Sequence, residues 1–142
     1  MDNKSRKLTE EDLDKIYSIA QEVLKPLWSK KEYQYFLTQP NSFCWGMEDS
    51  EGLACFLLTL LIGTEVDVVA IATRKNAQGQ KWARNLLKHI LSLPGIQQAF
   101  LEVDPTNEPA VRLYLGTGFQ VLGIRKKYYE GKKDAWLMKW SR

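Results

Sequence analysis

The sequence predicts a mixed α/β (α+β) fold on a mostly antiparallel sheet that includes one parallel pair of strands. Three observations support this. Between Ser42 and Thr73, three apolar, strand-like segments (SFCWGM, LACFLLTLLIG and EVDVVAIAT) succeed one another across short polar turns, the mark of an antiparallel meander. A helical segment from Gln78 to Leu93 then separates the third from a further strand, QAFLEV, and a crossover of that length joins parallel neighbours. The chain closes on FQVLGI and DAWLMKW, two strand-like runs flanking a tyrosine- and lysine-rich turn, which read as a hairpin.

The remaining elements come in order. Thr9 precedes two acids and an apolar pattern at Leu13, Ile16, Tyr17, Ala20, Val23 and Leu24, an N-cap succeeded by helical spacing. Pro26 ends that helix, Leu27 to Lys30 form a short connection, and a second helical piece runs from about Lys31 to Thr38. In the segment from Gln78, the residues Trp82, Leu86, Leu87, Ile90 and Leu91 are spaced for one buried face, and Pro94-Gly95 stops it. Thr106 or Asn107 can cap the next helix, where Pro109 is tolerated in the first turn and Gly116 marks the end.

A chain of 142 residues fits one domain, spanning 1–142, and 44% hydrophobic with 26% charged residues is the usual globular mix. The longest apolar run, Leu53 to Ile62, is about half of a membrane span and reads as a buried strand. Residues Met1 to Lys7 carry neither a secretory nor a transit signal, so a cytoplasmic protein without membrane association is expected. Cys44 and Cys55 lie in apolar stretches without CxxC spacing or partner ligands, which predicts reduced core thiols and no metal site. The lone histidine, His89, reads as structural or exposed, and Trp45, Trp136 and Trp140 as core. The net charge is +3, with basic residues gathered at Arg74, Lys75, Lys81, Arg84 and Lys88 and again at Arg125 to Lys127, Lys132 and Lys133. Such clusters suit phosphates or acidic partners, or are simply solvated faces.

The run IATRKNAQGQKWARNLL leaves an apolar strand and opens a helix through a polar, glycine-containing loop. A helix start of this kind presents unpaired N–H groups and a positive dipole end to an anion, with Arg74, Lys75, Lys81 or Arg84 as added charge. Read by itself, the run is either a diphosphate site or an ordinary strand-to-helix loop. The GxGxxG and P-loop patterns are both absent.

Gln78-Gly79-Gln80-Lys81-Trp82-Ala83 resembles the acetyl-CoA motif Q/R-x-x-G-x-G/A of the GNAT acetyltransferases, with Lys81 in place of the motif's Gly. Further on, Leu101-Glu102-Val103, Asn107, Ala110, Leu113-Tyr114, Gly118-Phe119, Gly123, Arg125, Tyr128-Tyr129, Asp134-Ala135 and Met138 resemble the pattern of the RimI group within that family. Glu22 with Pro26, Trp28 and Ser29 is similar to the substrate loop of the same enzymes, so the resemblance spans almost the whole chain.

The resemblance implies a GNAT fold, in which the central parallel strands splay apart and helices cover both faces. It implies acetyl-CoA as cosubstrate, no metal, and direct attack of an amine on the thioester without a covalent enzyme intermediate. By the same carry-over, Glu102 is the general base and would need its carboxyl raised by partial burial. Tyr114 is the acid for the departing thiolate, and Asn107 bonds the pantetheine arm while also able to cap its helix. Backbone groups of Val69, Ala70 and Ile71 would pair with pantetheine amides as an added strand does. Gln78, Gly79, Gln80, Lys81, Trp82, Ala83 and Arg84 would hold the phosphates, where Lys81 could crowd the cofactor or supply a cation. Leu27, Trp28, Tyr128 and Tyr129 would clasp the acceptor.

The expected function is acetylation of a protein or peptide N-terminus, that of a ribosomal protein beginning with Ala, by a monomer without specific nucleic-acid binding. A non-catalytic CoA- or protein-binding module, motivated by Lys81, is the competing reading. Another acceptor, whether a lysine side chain, a polyamine or an antibiotic amine, is the third.

Overall fold

A computed structural model describes residues 5–25, 28–129 and 133–142, the side chains of 127–129 and 133 excepted. It opens on a strand absent from the expectations, β1 (Arg6–Leu8), which pairs antiparallel with β2 (Ser42–Asp49). Three residues with two charges carry no strand periodicity. What holds them is tertiary: Arg6 bonds Asp12 at 2.9 Å and Glu48 at 2.8 Å.

Thr9 caps as expected. Its side chain accepts the Glu11 N–H, the Asp12 carboxylate accepts the Thr9 N–H at 2.9 Å, and the 3-10 turn Glu10–Asp12 runs into α1 (Leu13–Val23). A second capping box, Ser29 with Glu32, starts α2 (Lys30–Thr38). The meander comes next as β2, β3 (Gly52–Ile62) and β4 (Glu65–Thr73). The next helix is shorter than its sequence pattern. The pattern starts at Gln78, but α3 spans Trp82–Leu91, because Gly79 and Lys81 take positive φ values that no helix accommodates. β5 (Gln98–Val103), α4 (Glu108–Gly116), β6 (Gln120–Tyr129) and β7 (Lys133–Ser141) complete the chain.

The seven strands form one sheet in the order β1-β2-β3-β4-β5-β7-β6. The closing hairpin therefore docks through its second strand. In β7, Met138 is fully buried and Trp136 and Trp140 pack on the core, whereas Val121, Leu122 and Ile124 of the edge strand β6 stay exposed.

Alternation along the strands sends side chains to two cores, one on each face. Met47, Cys55, Leu57, Ala99, Leu101 and Val103 join Trp82, Leu86, Leu87, Ile90 and Leu91 of α3 and Tyr114 of α4. Leu8, Cys44, Phe56 and Leu58 join Ile16, Ile19 and Ala20 of α1 and Tyr33 of α2. Cys44 and Cys55 are both buried free thiols, and burial pushes each well above the ordinary thiol range. His89 is exposed and stands edge-on to Trp45 at 5.8 Å.

Candidate active site

β4 and β5 are the parallel neighbours, and they pair over three rungs only: Glu65 with Gln98, Val66 with Ala99, and Asp67 with Phe100. Beyond Asp67, β4 keeps its ladder with β3 and β5 keeps its ladder with β7, so the two strands part. A bulge sharpens the divergence. Val68 pairs with Thr59 and Ala70 with Leu58, leaving Val69 as the extra residue. The gap-facing edge of β4 from Val68 onward thus presents backbone donors and acceptors that no strand of the sheet takes up. Strand-edge groups of this kind bind an extended amide-bearing chain. Val69, Ala70 and Ile71, anticipated as pantetheine partners, lie on that edge.

At the end of β4 the chain makes a 3-10 turn, Lys75–Ala77, and then the loop Gln78–Lys81 into α3. Lys81 is the N-cap of α3 at φ 64°, the one described non-glycine residue at positive φ, and Gly79 is at φ 84°. Lysine therefore keeps the left-handed backbone that glycine adopts without strain. The N–H groups at the start of α3 still open outward, with Lys81 and Arg84 beside them, Lys81 exposed.

Arg74 departs from the expectation that it could join them. Its guanidinium pairs with Asp49 and bonds the Leu53 carbonyl at 2.8 Å and Asn76 at 2.5 Å, tying the β2–β3 turn to the end of β4. Asp49 lies 25 positions away, beyond any local sequence signal. Gln78 also turns back on its own strand, its amide donating to the Thr73 carbonyl at 3.2 Å. Trp82 is buried in the core and reaches the site through its backbone alone.

Glu102 and Tyr114 come to opposite sides of the gap. On β5, Leu101 and Val103 face the α3–α4 core, so Glu102 faces the other way. Its Oε1 accepts from Arg125 Nη1 at 2.9 Å, and its Oε2 is buried without a hydrogen-bond partner among the described residues. Arg125, on β6, reaches over β7 to make this pair. The β7 residue opposite Arg125 is Ala135, small and fully buried, which leaves the guanidinium room to cross. In the sequence Arg125 stands out only as a motif member and a surface cation; its pairing depends on β7 lying between β5 and β6. Tyr114 is buried against Phe119, ring centroids 5.8 Å apart, on the α4 side.

Asn107 is the N-cap of α4, its Oδ1 accepting the Ala110 N–H at 3.3 Å, so its NH₂ donors are what a ligand can reach. Trp28 stacks on Phe36 with centroids 5.0 Å apart and packs with Val69 and Ala70 in one cluster. Leu27 lies outside the described residues. So do the side chains of Tyr128 and Tyr129, whose backbone ends β6. Among the described residues there is no group of His, Cys, Asp and Glu able to hold a metal ion, and no helix is long and apolar enough to cross a membrane.

A sheet that opens between its parallel strands, next to a helix start shaped for an anion, suits an acyl transferase that threads a long thioester cofactor through the gap. The sequence agrees: the chain belongs to the GNAT acetyltransferase family, whose sequence model matches residues 13–119. Within it, the chain is 30% identical over 134 residues to the ribosomal protein bS18-alanine N-acetyltransferase of Escherichia coli, covering 89% of each. It is 27% identical over 139 residues to the putative bS18-alanine N-acetyltransferase of Bacillus subtilis, covering 95% of this chain and 92% of that one. The crystal structure of the Escherichia coli ribosomal-protein-S18-alanine N-acetyltransferase superposes with a TM-score of 0.91 at 27% identity, over 99% of this chain and 94% of that one.

Proposed function

We propose that this chain, as a single domain, acetylates the α-amine of a protein N-terminus, that of a ribosomal protein beginning with Ala, using acetyl-CoA. The observation that carries the reading is the gap between β4 and β5, with Glu102 on one side and Tyr114 on the other. Relatives named for the same reaction on bS18 support the acceptor.

Acetyl-CoA supplies an acetyl group activated as a thioester. The residues around the gap meet its shape: the unpaired edge of β4 at Val69 to Ile71 for the amides, and the N–H groups from Gln78 to Arg84 for the diphosphate. Lys81 keeps the left-handed backbone that a glycine would adopt, so the cradle retains its path. Asn107 offers its NH₂ to the arm near the thioester.

On the acceptor side, Arg125 holds one oxygen of Glu102, and the buried Oε2 is the oxygen with acceptor capacity to spare. It takes a proton from the incoming ammonium, directly or through a water, so that the neutral amine attacks the thioester carbon. On the cofactor side, the Tyr114 phenol gives a proton to the thiolate as the C–S bond breaks. One proton in total leaves per turnover with CoA released as the thiol, because the ammonium loses two protons on becoming an amide and the departing thiolate takes up one. Leu27, Trp28, Tyr128 and Tyr129 are assigned to the acceptor's backbone.

Steady-state assay of an Ala-initiated peptide tests this. Glu102→Gln should lower kcat by about 10²- to 10⁴-fold, the usual loss of a general base. A peptide with a blocked α-amine and free lysines should not react. Unchanged turnover in a Glu102→Gln, Tyr114→Phe double variant would remove both roles.

A further inference from the structure

Glu22 sits on the last turn of α1, where the chain leaves for the segment holding Trp28, yet its carboxylate is engaged elsewhere. Its Oε1 accepts the backbone N–H of Lys75 at 2.6 Å, across 53 positions of sequence. Lys75 opens the 3-10 turn that leads into Gln78–Lys81 and the start of α3. The first N–H groups of any helical turn lack partners within it, and a carboxylate at that end satisfies one of them.

The contact also carries a cost. It places a negative charge at the rim of a loop whose backbone is shaped for an anion. A second tie joins the same two regions on the apolar side, where Leu24 and Trp28 pack in one cluster with Val69 and Ala70 at the bulge. The α1–α2 region is thus fastened to β4 at the bulge and to the loop beyond its end.

We propose that Glu22 is a positioning residue that couples cofactor occupancy to the acceptor-binding segment. The inference rests on the functional reading above, which assigns the loop after β4 to the diphosphate and Trp28 to the acceptor. A ligand that fixes this loop fixes the Lys75 N–H, and through Glu22 the end of α1 from which the acceptor segment departs. By thermodynamic linkage the effect is reciprocal, so a bound peptide tightens CoA by the factor with which CoA tightens the peptide.

The test is calorimetric titration of an Ala-initiated peptide into the full chain, with and without saturating CoA, which permits binding but no transfer. In the wild type, CoA should tighten the peptide about fivefold or more, the lower bound of typical coupling. Glu22→Ala should reduce that ratio to below about twofold, whereas Glu22→Gln, which keeps an oxygen acceptor, should retain most of it. Lys75→Pro removes the donor and leaves Glu22 in place; proline is tolerated at a first helical position, so the same loss is expected there with the fold intact. A Glu22→Ala variant with the wild-type ratio, or a wild type without coupling, overturns the proposal while N-terminal acetylation stands. A wild type that binds CoA but neither binds nor acetylates the peptide removes the functional reading, and this proposal with it.

Discussion

Asp67 shows how much a single position depends on its neighbours in space. It occupies the last parallel rung before β4 and β5 part, opposite Phe100. Burial, with Glu65 and Glu102 adding like charge, holds its carboxyl above the ordinary value of 3.8. A carboxyl raised in the folded state binds its proton more tightly there than in the unfolded chain. Its contribution to stability is full below the ordinary value and is lost as pH rises through the raised one. At neutral pH the ionised Asp67 therefore costs stability, and Asp67→Asn should raise the thermal midpoint at pH 7. The advantage should shrink toward pH 4, and a variant no more stable at pH 7 than at pH 4, relative to wild type, would refute this. Nothing in the run EVDVVAIAT marks Asp67, because Glu102, its carboxylate neighbour on β5, is far from it in sequence. Glu102, by contrast, stands out in the sequence through the resemblance of LEV and the motifs C-terminal to it, although its pairing with Arg125 does not.

At the scale of elements, helices and strands are legible wherever the local chemistry is self-contained. Thr9 and Ser29 open helices with capping boxes that the sequence can show, and Asn107 caps α4 as its position suggests. Local pattern fails at the start of α3. The residues Gln78 to Lys81 continue the helical segment in sequence, but their backbone is held open by left-handed Gly79 and Lys81. A non-glycine residue in that conformation costs about 1–2 kcal/mol, of which glycine's extra unfolded-state entropy would return about 0.5–1 kcal/mol. Lys81→Gly should thus stabilise the chain by about 0.5–1 kcal/mol in denaturant unfolding, the difference of those two figures. A destabilised Lys81→Gly variant would show instead that the lysine side chain contributes contacts exceeding its backbone strain. β1 is the opposite case: it exists because Arg6 meets Asp12 and Glu48, and its own three residues announce nothing.

For the molecule as a whole, the decisive feature is a sheet that is continuous at one end of β4 and β5 and open at the other. Water takes up the backbone groups of the open edge until a ligand replaces it, and a cofactor that binds the folded chain alone should show as added stability. Acetyl-CoA at about 100 times its dissociation constant should add about 2.7 kcal/mol to unfolding. No shift in thermal unfolding at millimolar acetyl-CoA would argue that Lys81 blocks the cradle and would turn the reading toward a module that binds protein alone. The sequence by itself determined the mixed fold class, nearly every element, the strand-to-helix loop suited to an anion and, through motifs that resemble the family's, membership of that family. The elements are carried by short-range periodicity, capping and spacing, and the family by the resemblance of an ordered set of motifs. Only the tertiary structure decided the order β5-β7-β6, the placing of Glu102 and Tyr114 on opposite sides of the gap, the Arg125 and Glu22 contacts, and the diversion of Arg74 to Asp49. Each of these is a contact between residues that the chain brings together only after the sheet has chosen its register and its neighbours, and no local pattern encodes that choice.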